Sequence, residues 1–516
     1  MKKSTWGALL VLFIGIVAVL AWKFAKPMFL EQHQIGTSDA ASKRGTIRIG
    51  GDNYLGYWFM TAPAMRKSAS RDGISIQFTD DGGAYSERLA KFANNEYDCI
   101  VLPVNSYLQH GAAVNFPGVI VAAVCESQGA DGMVGFANKL PSGKIKDLDD
   151  AKLSIVYTAE SPSSFLLDLT IADFDLANLR TDTTWRQEVN SSTEVFERAR
   201  AGKGDVFVLW EPDLSRALRL PGMSYVWGSD KFSGYIVDVF VFHRDFLQKK
   251  PDLARDFLKH YFRTLGLYAN DRKRMINEMG RATDLKEAEL EGIVKKINWF
   301  NLHENCQNLF GISDRPERPA NDGMISTIIA NTDVLIRMGH FKSDPLAGNP
   351  YLITHSSLLS DLQKSGLPVT VASGGSEVVH FESLGDDEWR QLSEIGEFRV
   401  EPITFQTWDN RLTPEGKAVV DRIANMLLHN YPGYRIVIRG HTAPGGEEAE
   451  NQKLSLERAQ TVMQYLKAVH DIDQVRMRAE GVGSTKPPTR KPGESTRAYQ
   501  YRQARVVFVA VEGNKL

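Results

Sequence analysis

The chain has 516 residues, of which 43% are hydrophobic and 24% are charged, and its formal net charge is −2. This length exceeds what one hydrophobic core supports, so two or three domains are expected. The ordinary composition excludes global disorder. The near balance of charge excludes a protein that is drawn as a whole to nucleic acid, so no nucleic-acid partner is expected.

An apolar run extends from Trp6 to Trp22 near the start of the chain, with lysines on both sides. As a helix it would reach about 25 Å, near the lower limit for crossing a bilayer. The run ends in Ala21-Trp22-Lys23, which is a poor cleavage site. An uncleaved transmembrane signal anchor over residues 1–30 is therefore favoured over a cleaved signal peptide.

Strands alternate with helices beyond a polar linker over residues 31–45. The pattern predicts strands over 46–50, 74–78, 98–102, 152–157, 205–209 and 236–242, and helices over 86–94, 163–172 and 251–268. This alternation predicts an α/β fold with a parallel, doubly wound sheet. In such sheets, ligands bind at the carboxyl ends of the strands.

Three cysteines occur, Cys99, Cys125 and Cys306, and they lack the spacing of a zinc or haem motif. No metal or other cofactor is therefore expected. Cys99 and Cys125 lie in apolar, strand-like runs. In an oxidising compartment they could bridge neighbouring strands, but burial as free, small hydrophobic residues is the favoured interpretation.

The loops that follow the predicted strands carry polar, aromatic and glycine residues. Aromatic faces and an amide in the first loop suit a flat or zwitterionic ligand, and the serines at a helix start suit an anion. The predicted ligand contacts are Asn53, Tyr54, Tyr57, Trp58, Gly82, Gly83, Asn105, Ser106, Ser161, Ser163, Ser164, Trp210, Glu211 and Asp238.

Structural interpretations of these residues stay open. Tyr57 and Trp58 could pack beneath a lobe, Ser163 could cap its helix, and Asp52 and Asp238 could be exposed turn residues. Taken as a site, a carboxylate at Glu211 favours an amine-bearing group, whereas the serine loop favours an anion. The combination indicates a zwitterion of the amino-sulfonate type.

The C-terminal part follows a linker over residues 366–378, which is rich in Gly, Ser, Val and Pro. Strands are predicted over 398–405, 434–439 and 505–511. Helices are predicted from Thr413-Pro414 onward and over 454–469. Thr413 is a good N-cap and Pro414 suits the first helical turn. Residues 379–516 are therefore predicted to form a small α/β sandwich.

This segment contains Gly440-His441-Thr442, Asn451-x-x-Leu454-Ser455-x-x-Arg458-Ala459, Gly481-x-Gly483 and Arg505-Val506. In order and spacing these motifs resemble the OmpA-like, peptidoglycan-associated domain family. The resemblance implies binding of the peptide stem of peptidoglycan. In the family, an aspartate after Gly-His-Thr meets an ammonium and the helix arginine meets a carboxylate.

The chain departs from this pattern at Ala443, which occupies the aspartate position. The peptidoglycan contacts that the resemblance implies are Thr442, Asn451, Arg458 and Arg505. Two hypotheses stay open. Either wall binding persists in weakened form, with Glu447, Glu448 or Glu450 as a substitute carboxylate, or the fold is kept for docking or assembly. His441 is interpreted as a structural residue of the turn.

Residues 46–365 resemble the solute-binding proteins of nitrate, sulfonate and taurine import and their thiamine-precursor relatives. The resemblance rests on Gly204-Asp205-Val206-Phe207-Val208-Leu209-Trp210-Glu211-Pro212, on Ser233-Gly234-Tyr235-Ile236-Val237-Asp238 and on the helix that begins at Pro251. It implies a type II periplasmic-binding-protein fold, in which two lobes close on a small ligand. Lobe II is expected at about 141–240, and it would contribute Trp210, Glu211 and Asp238.

Together these features predict a membrane-anchored solute-binding protein, single-pass in a bacterial inner membrane, with most of the chain in the periplasm. The expected partners are a small polar or zwitterionic solute, weakly held peptidoglycan, the inner membrane and a membrane protein complex. The alternative is a structural scaffold or assembly protein whose pocket is vestigial. Relatives of this fold make a pyrimidine with a reactive histidine and pyridoxal phosphate, but this sequence offers only His110 in the early half of the first lobe and no lysine-glycine phosphate site. No nucleophile-base-acid trio is apparent beside His441 either, so no enzyme is expected.

Overall fold

The computed structural model describes residues 43–283, 285–313, 320–367, 380–406, 410–488, 490 and 493–513. The predicted anchor over 1–30 and most of both predicted linkers lie outside these residues. Within the described ranges, no helix combines the length and the apolar character needed to cross a membrane. Three β-sheets organise the described chain.

The first lobe begins with four strands and the helices between them. The strands are β1 (Gly45–Gly51), β2 (Ile74–Asp80), β3 (Cys99–Pro103) and β4 (Gly118–Ser127). The helices are α1 (Trp58–Thr61), α2 (Pro63–Arg71), α3 (Tyr85–Ala93) and α4 (Val104–Gly111). Every residue of β3 and β4 is buried, as in strands that are covered on both faces.

The chain then builds the second lobe. Its strands are β5 (Asp131–Phe136), β6 (Ile155–Thr158), β7 (Arg186–Val189), β8 (Val206–Trp210) and β9 (Met223–Gly228). Its helices are α5 (Pro162–Asp173), α6 (Ala177–Thr181), α7 (Ser192–Arg200) and α8 (Asp213–Ala217).

The chain returns to the first lobe with β10 (Val237–His243) and β11 (Ile297–Trp299). The accompanying helices are α9 (Arg244–Lys249), α10 (Pro251–Ala269), α11 (Arg272–Thr283), α12 (Glu287–Val294), α13 (Leu302–Glu304), α14 (Gly323–Arg337) and α15 (Ser357–Lys364). The apolar face expected on α10 is buried, with Leu253, Phe257, Leu258, Phe262 and Leu265 inward.

The two lobes repeat one topology. The first sheet has the order β11-β4-β10-β3-β1-β2, and the second has β7-β6-β8-β5-β9. In each, three parallel strands are followed by an antiparallel strand that arrives from the other lobe. Two crossovers, at 128–130 and 229–236, connect the lobes. This arrangement is the expected two-lobed, doubly wound periplasmic-binding-protein fold.

The prediction that Asp238 belongs to the second lobe was wrong. Strand β10 lies in the first sheet, where Asp238 pairs with Pro103 on β3 and with Cys125 on β4. The second sheet extends from Asp131 to Gly228, whereas lobe II was expected at about 141–240. The physical reason is that all seven residues of β10 are buried, which suits a central strand between β3 and β4. All three cysteines are buried free thiols.

The C-terminal domain contains β12 (Ser393–Phe398), β13 (Arg435–His441), β14 (Met477–Gly481) and β15 (Arg505–Glu512) in the order β12-β15-β13-β14. Its helices are α16 (Asp386–Gln391), α17 (Pro414–His429), α18 (Glu448–His470) and α19 (Thr496–Gln503). The strand predicted over 398–405 was wrong, because β12 ends at Phe398.

Two glycines of the C-terminal motifs allow α18 to lie directly on the sheet. A Cβ at Gly440 would stand 2.0 Å from the carbonyl oxygen of Ser455, and one at Gly481 would stand 2.6 Å from that of Gln452. Any larger residue would push the helix away from β13 and β14. The close approach positions the residues after β13 beside α18.

Candidate functional site

Polar residues follow the parallel strands of the first lobe where it faces the second. Asp52 follows β1, Asp81 follows β2 and Asn105 follows β3, as the sheet topology requires. Asp131 opens β5 on the other lobe, and its charge acts on Tyr85 together with that of Asp52. The two lobes therefore bring carboxylates to one shared edge.

Arg88 on α3 is a fully buried cation at this edge. It donates from Nη2 to Asp52 at 2.9 Å, from Nε to Asp81 at 2.7 Å and from Nη1 to the carbonyl of Val101 at 2.6 Å. Burial lowers the pKa of Arg88, but the hydrogen bond to Asp81 and the charge of Asp52 outweigh it and hold the pKa above its usual value. Sequence reasoning missed Arg88, although it shares the buried helical face of Tyr85.

Asp238 is the most perturbed acid of the edge and is 2% exposed. Its Oδ1 accepts a short hydrogen bond from the hydroxyl of Tyr57, and its Oδ2 lies 3.5 Å from the Cys125 thiol. Burial raises the pKa of Asp238 to about 8, although the Tyr57 hydrogen bond opposes the shift. Asp238 thus holds a proton at neutral pH, and it is not an exposed turn residue.

Two further buried acids stand at the crossovers. Burial raises the pKa of Asp131 to about 6, against the hydrogen bond from Ser127. Burial also raises the pKa of Glu126 to about 7, although its Oε1 accepts from the amide of Gly234 at 2.6 Å. The crossovers are joined by the Ser127 and Ser229 hydroxyls at 2.7 Å. As at Asp238, burial is the largest cause of both raised pKa values, and no side-chain cation pairs with either acid among the described residues.

Tyr54 directs its hydroxyl among these acids. The hydroxyl is buried and finds no hydrogen-bond partner in the described part of the chain. Burial raises the pKa of Tyr54, followed by the charges of Cys125, Asp238 and Asp131. The ring makes an edge contact with Tyr57 at 5.4 Å between centroids. A buried polar atom without a partner is rare in folded proteins, so the Tyr54 hydroxyl marks a polar position that the described residues leave unsatisfied.

The second lobe presents polar atoms at the start of α5. Ser161, not Ser163, caps the helix. Its hydroxyl accepts from the Ser163 amide at 3.2 Å, and Ser164 completes the box by accepting from the Ser161 amide at 3.0 Å. The hydroxyls of Ser163 and Thr158 and the amide oxygen of Asn105 are buried without a partner among the described residues.

Trp210 is the last residue of β8 and is only partly exposed, and Glu211 directly follows it. Glu211 is 3% exposed and forms an ion pair with Lys296, which directly precedes β11 of the first lobe. It also accepts from the Ser215 hydroxyl at 2.7 Å. The charge of Glu211 is therefore already balanced, and its contacts join the two lobes.

The remaining predicted contacts lie apart from the acids or are satisfied locally. Asn53 is exposed, and Trp58 packs against Tyr268 at 5.0 Å between ring centroids. The amides of Gly82 and Gly83 donate to the side chains of Asp80 and Asp81. Buried Ser106 lies 3.5 Å from the side-chain nitrogen of Asn105.

A second candidate site lies at the end of β13. His441 pairs with Arg505 on β15, and burial, with the charges of Arg505 and Arg439, lowers the pKa of His441 to about 3. The ring is therefore neutral at physiological pH. The Thr442 amide donates to the carbonyl of Gly483 at 2.9 Å. The buried hydroxyl of Thr442 has no partner in the described ranges.

The cationic half of the implied peptidoglycan clamp is present. Arg458 lies 5.1 Å from the Phe405 ring centroid, and its Nε has no hydrogen-bond partner among the residues described. Burial lowers the pKa of Arg458. Arg505 donates to the carbonyls of Gln503 and Lys486, both at 3.3 Å. The buried amide oxygen of Gln503 also lacks a partner within the described chain.

The carboxylates near Ala443 differ from one another in their surroundings. Glu448 accepts from the amide and the hydroxyl of Ser484 at 3.0 and 2.6 Å, so it fixes the loop after β14. Glu447 and Glu450 are exposed. Asn451 donates to the carbonyl of Gly445 at 2.8 Å, which holds the glycine loop. Arg458 and Arg505 thus remain without the carboxylate that the family places at position 443.

Residues 404–501 match the sequence model of the OmpA family. A curated relative, outer membrane protein A of Serratia odorifera, is 33% identical over 101 residues. The match covers 19% of this chain and 41% of that protein, so the chain spans about two fifths of the relative's length. The C-terminal domain is therefore an OmpA domain.

Solved structures also resemble the two lobes. One is the alkanesulfonate-binding protein SsuA from Xanthomonas axonopodis pv. citri, at 15% identity and a TM-score of 0.41, over 50% of this chain and 88% of that one. Another is the nitrate-binding protein NrtA from Synechocystis, at 9% identity and a TM-score of 0.47, over 65% and 94%. The order of the strands within each sheet defines the fold independently of these similarities.

Proposed function

We propose that the protein is a solute-binding protein of the bacterial envelope that closes on a small zwitterionic, amine-bearing solute. Its OmpA domain attaches it to the cell wall, and residues 1–30 anchor it in the inner membrane beside a membrane protein complex. The observation that carries the proposal is the concentration of buried acids between the lobes. Burial raises the pKa values of Asp131, Glu126 and Asp238 to about 6, 7 and 8 there, and no side-chain cation of the described residues pairs with them.

The acids support an amine as the recognised group. Arg88 is occupied by Asp52 and Asp81, so Asp131 and Asp238 remain for a ligand. A bound ammonium would replace the protons and gain charge-assisted hydrogen bonds. The unpartnered oxygen of Tyr54 lies within the same group and would accept from the ammonium. An anion without an amine, such as nitrate, would face carboxyl oxygens and bind poorly.

Polar atoms of lobe II support the recognition of an anionic group on the same solute. Thr158 and Ser163, near the start of α5, carry buried hydroxyls that lack partners in the described chain. Hydroxyl donors and helix amides are favourable for a carboxylate or sulfonate. A solute with both groups would satisfy both lobes, and closure would then be favoured by binding.

A thermal-shift panel of amino acids, aminosulfonates, simple sulfonates, nitrate and nucleobases tests this function. We expect saturable stabilisation by an amine-bearing zwitterion, since a ligand at about 100 times its Kd contributes about 2.7 kcal/mol. Asp131→Asn should raise the ligand concentration needed for half of the maximal shift at least tenfold. Asp252→Asn, on the exposed surface of α10, should leave that concentration unchanged. Stabilisation by nitrate and not by amines would contradict the proposed ligand class.

Wall attachment is proposed through Arg458 and Arg505, in weakened form. Restoring the missing carboxylate with Ala443→Asp should increase binding to purified sacculi about tenfold or more, because a charge-assisted hydrogen bond contributes roughly 1.5–3 kcal/mol. Arg458→Ala should abolish sedimentation with sacculi in both backgrounds. Equal sedimentation of all variants would remove the wall from the proposed function.

A structural scaffold is the second candidate, and a specific observation favours it. Glu211 of lobe II already forms an ion pair with Lys296, which directly precedes β11 of lobe I. Such a contact would suit a module that holds a fixed shape for a protein partner. Under this function no member of the ligand panel, even at millimolar concentration, would shift the melting temperature.

The membrane anchor is tested by fractionation of the full chain. If residues 1–30 span the inner membrane, the protein should resist extraction by alkaline carbonate, and added protease should degrade it in spheroplasts but not in intact cells. Release of the protein by carbonate would exclude the anchor and leave the ligand hypothesis intact.

A further inference from the structure

One buried carboxylate, Asp173, connects four parts of the molecule. It ends α5 of lobe II and is 1% exposed. Its Oδ2 accepts from the hydroxyl of Tyr235 at 2.8 Å and from that of Tyr431 at 2.7 Å. Its Oδ1 accepts from Arg337 at 2.6 Å. Tyr235 belongs to the second crossover between the lobes, Tyr431 to the OmpA domain and Arg337 to the end of α14.

The OmpA domain also contacts the crossover backbone directly. The amide of Ser233 donates to the carbonyl of Asn430 at 2.8 Å, and the side chain of Asn430 donates back to the carbonyl of Ser233 at 3.0 Å. Gly234 has a φ of +72°, and a Cβ there would stand 3.4 Å from the Asn430 side chain. The amide of Gly234 is bound by Glu126 at the end of β4, so the domain contacts the point where both crossovers meet.

A buried aromatic surface fixes the OmpA domain to lobe II. Phe174 stacks on Phe398 with 5.1 Å between ring centroids, and Trp227 stacks on Tyr434 at 6.5 Å. The Arg399 amide donates to the carbonyl of Asp173 at 2.7 Å. Phe174, Phe398 and Trp227 are all at most 2% exposed. The domain is therefore expected to move together with lobe II.

Helix α14 brings the first lobe to the same point. It packs against α4 of lobe I and against α5 of lobe II, and it ends at Arg337. Rotation of the lobes about the crossovers would change the position of Tyr235 and of α14 relative to Asp173. Asp173 can therefore keep its contacts with Tyr235, Arg337 and Tyr431 together only over a narrow range of angles between the two lobes.

From this geometry we infer that the OmpA domain clamps the hinge of the binding module. Docking of Asn430 and Tyr431 stabilises the present arrangement of the lobes, in which Glu211 of lobe II pairs with Lys296 of lobe I, and opening of the cleft weakens docking. By thermodynamic reciprocity, anything that favours closure also favours the docked domain. A closing solute would act in this way, and that last link rests on the proposed function. The clamp itself requires no ligand.

Pulsed electron paramagnetic resonance on the full chain tests the clamp. One pair of spin labels, at Ser86→Cys and Lys203→Cys, reports the distance between the lobes. A second pair, at Lys203→Cys and Gln460→Cys, reports the distance between lobe II and the OmpA domain. The native cysteines are buried, and the unsubstituted chain gives the labelling background. Tyr431→Phe removes one hydroxyl at Asp173 and keeps the aromatic ring.

We expect Tyr431→Phe to shift the lobe-to-lobe distances to larger values and to broaden the distances to the OmpA domain. The matched control is Tyr465→Phe, whose hydroxyl donates to Asp421 within the OmpA domain at 3.0 Å, and which should change neither distribution. Asn430→Ala repeats the test if Tyr431→Phe does not fold. Unchanged lobe distances in a folded interface variant would overturn the clamp. Because no solute is added, this failure is distinct from failure of the proposed ligand.

Discussion

Asp173→Ala is expected to lower the free energy of unfolding by roughly 3–5 kcal/mol, the range for breaking a buried ion pair by removing one partner. Its side chain is fully buried and pairs with Arg337 at 2.6 Å. The substitution removes one of two carboxylates that pair with Arg337, leaving the 60% exposed Asp333 at 2.7 Å, and deprives the hydroxyls of Tyr235 and Tyr431 of their acceptor. Urea titration followed by far-ultraviolet circular dichroism measures the loss.

Two companion variants separate the contributions at Asp173. Asp173→Asn keeps an acceptor for the tyrosines but removes the charge opposite Arg337, so an intermediate loss is expected. Asp387→Ala removes an 88% exposed carboxylate that pairs with Arg390 and should change stability by less than about 0.5 kcal/mol. A loss below about 1 kcal/mol for Asp173→Ala would contradict the role assigned to this carboxylate.

Asp238→Asn is expected to flatten the dependence of stability on pH. Burial raises the pKa of Asp238 to about 8 in the folded protein, whereas an unfolded aspartate titrates near 3.8. The folded state therefore binds more protons between these values. As pH rises through the window, this group lowers the free energy of unfolding by about 1.4 kcal/mol per pH unit. Asparagine can still accept from Tyr57 and never ionises.

The difference between wild type and Asp238→Asn should thus grow in favour of the variant from pH 5 to pH 8. Glu126 and Asp131, whose pKa values burial raises to about 7 and 6, leave a residual slope in both proteins. Asp252→Asn, on an exposed face, should keep the slope of the wild type. Parallel curves for the wild type and Asp238→Asn would show that Asp238 is not a buried acid in solution.

Local patterns predicted most of the binding module. Apolar runs such as 98–102 and 119–125 indicated buried central strands, and the apolar face that includes Leu253 and Phe257 predicted α10. They did not reveal that β10 returns to the first sheet, because a mostly apolar strand fits the centre of either sheet. Strand β14 was missed because Arg478 and Glu480 break its apolar pattern.

The binding role of the candidate site stays a prediction. Strand ends pointed to the loops of Tyr54 and Asn105, and the fold brings Asp238 to the same edge from β10 of the first sheet. Sequence order could not show that Arg88 neutralises Asp52 or that Glu211 is paired by Lys296, because each pair joins elements that are distant in the chain. Asp173 and Tyr431 lie 258 positions apart, so no local sequence pattern could predict the contact between the OmpA domain and the hinge.

Calorimetric titration of the full-length protein with an amine-bearing zwitterion from the panel, at pH 6 and pH 8.5, tests the central claim most directly. The protein should bind one equivalent, at least tenfold more tightly at pH 8.5. Asp238 has then lost its proton and attracts the ammonium without first releasing one. Asp238→Asn should remove this pH dependence. Absence of binding at both pH values, or equal affinity at both, would contradict the account of an acidic cleft that captures an amine.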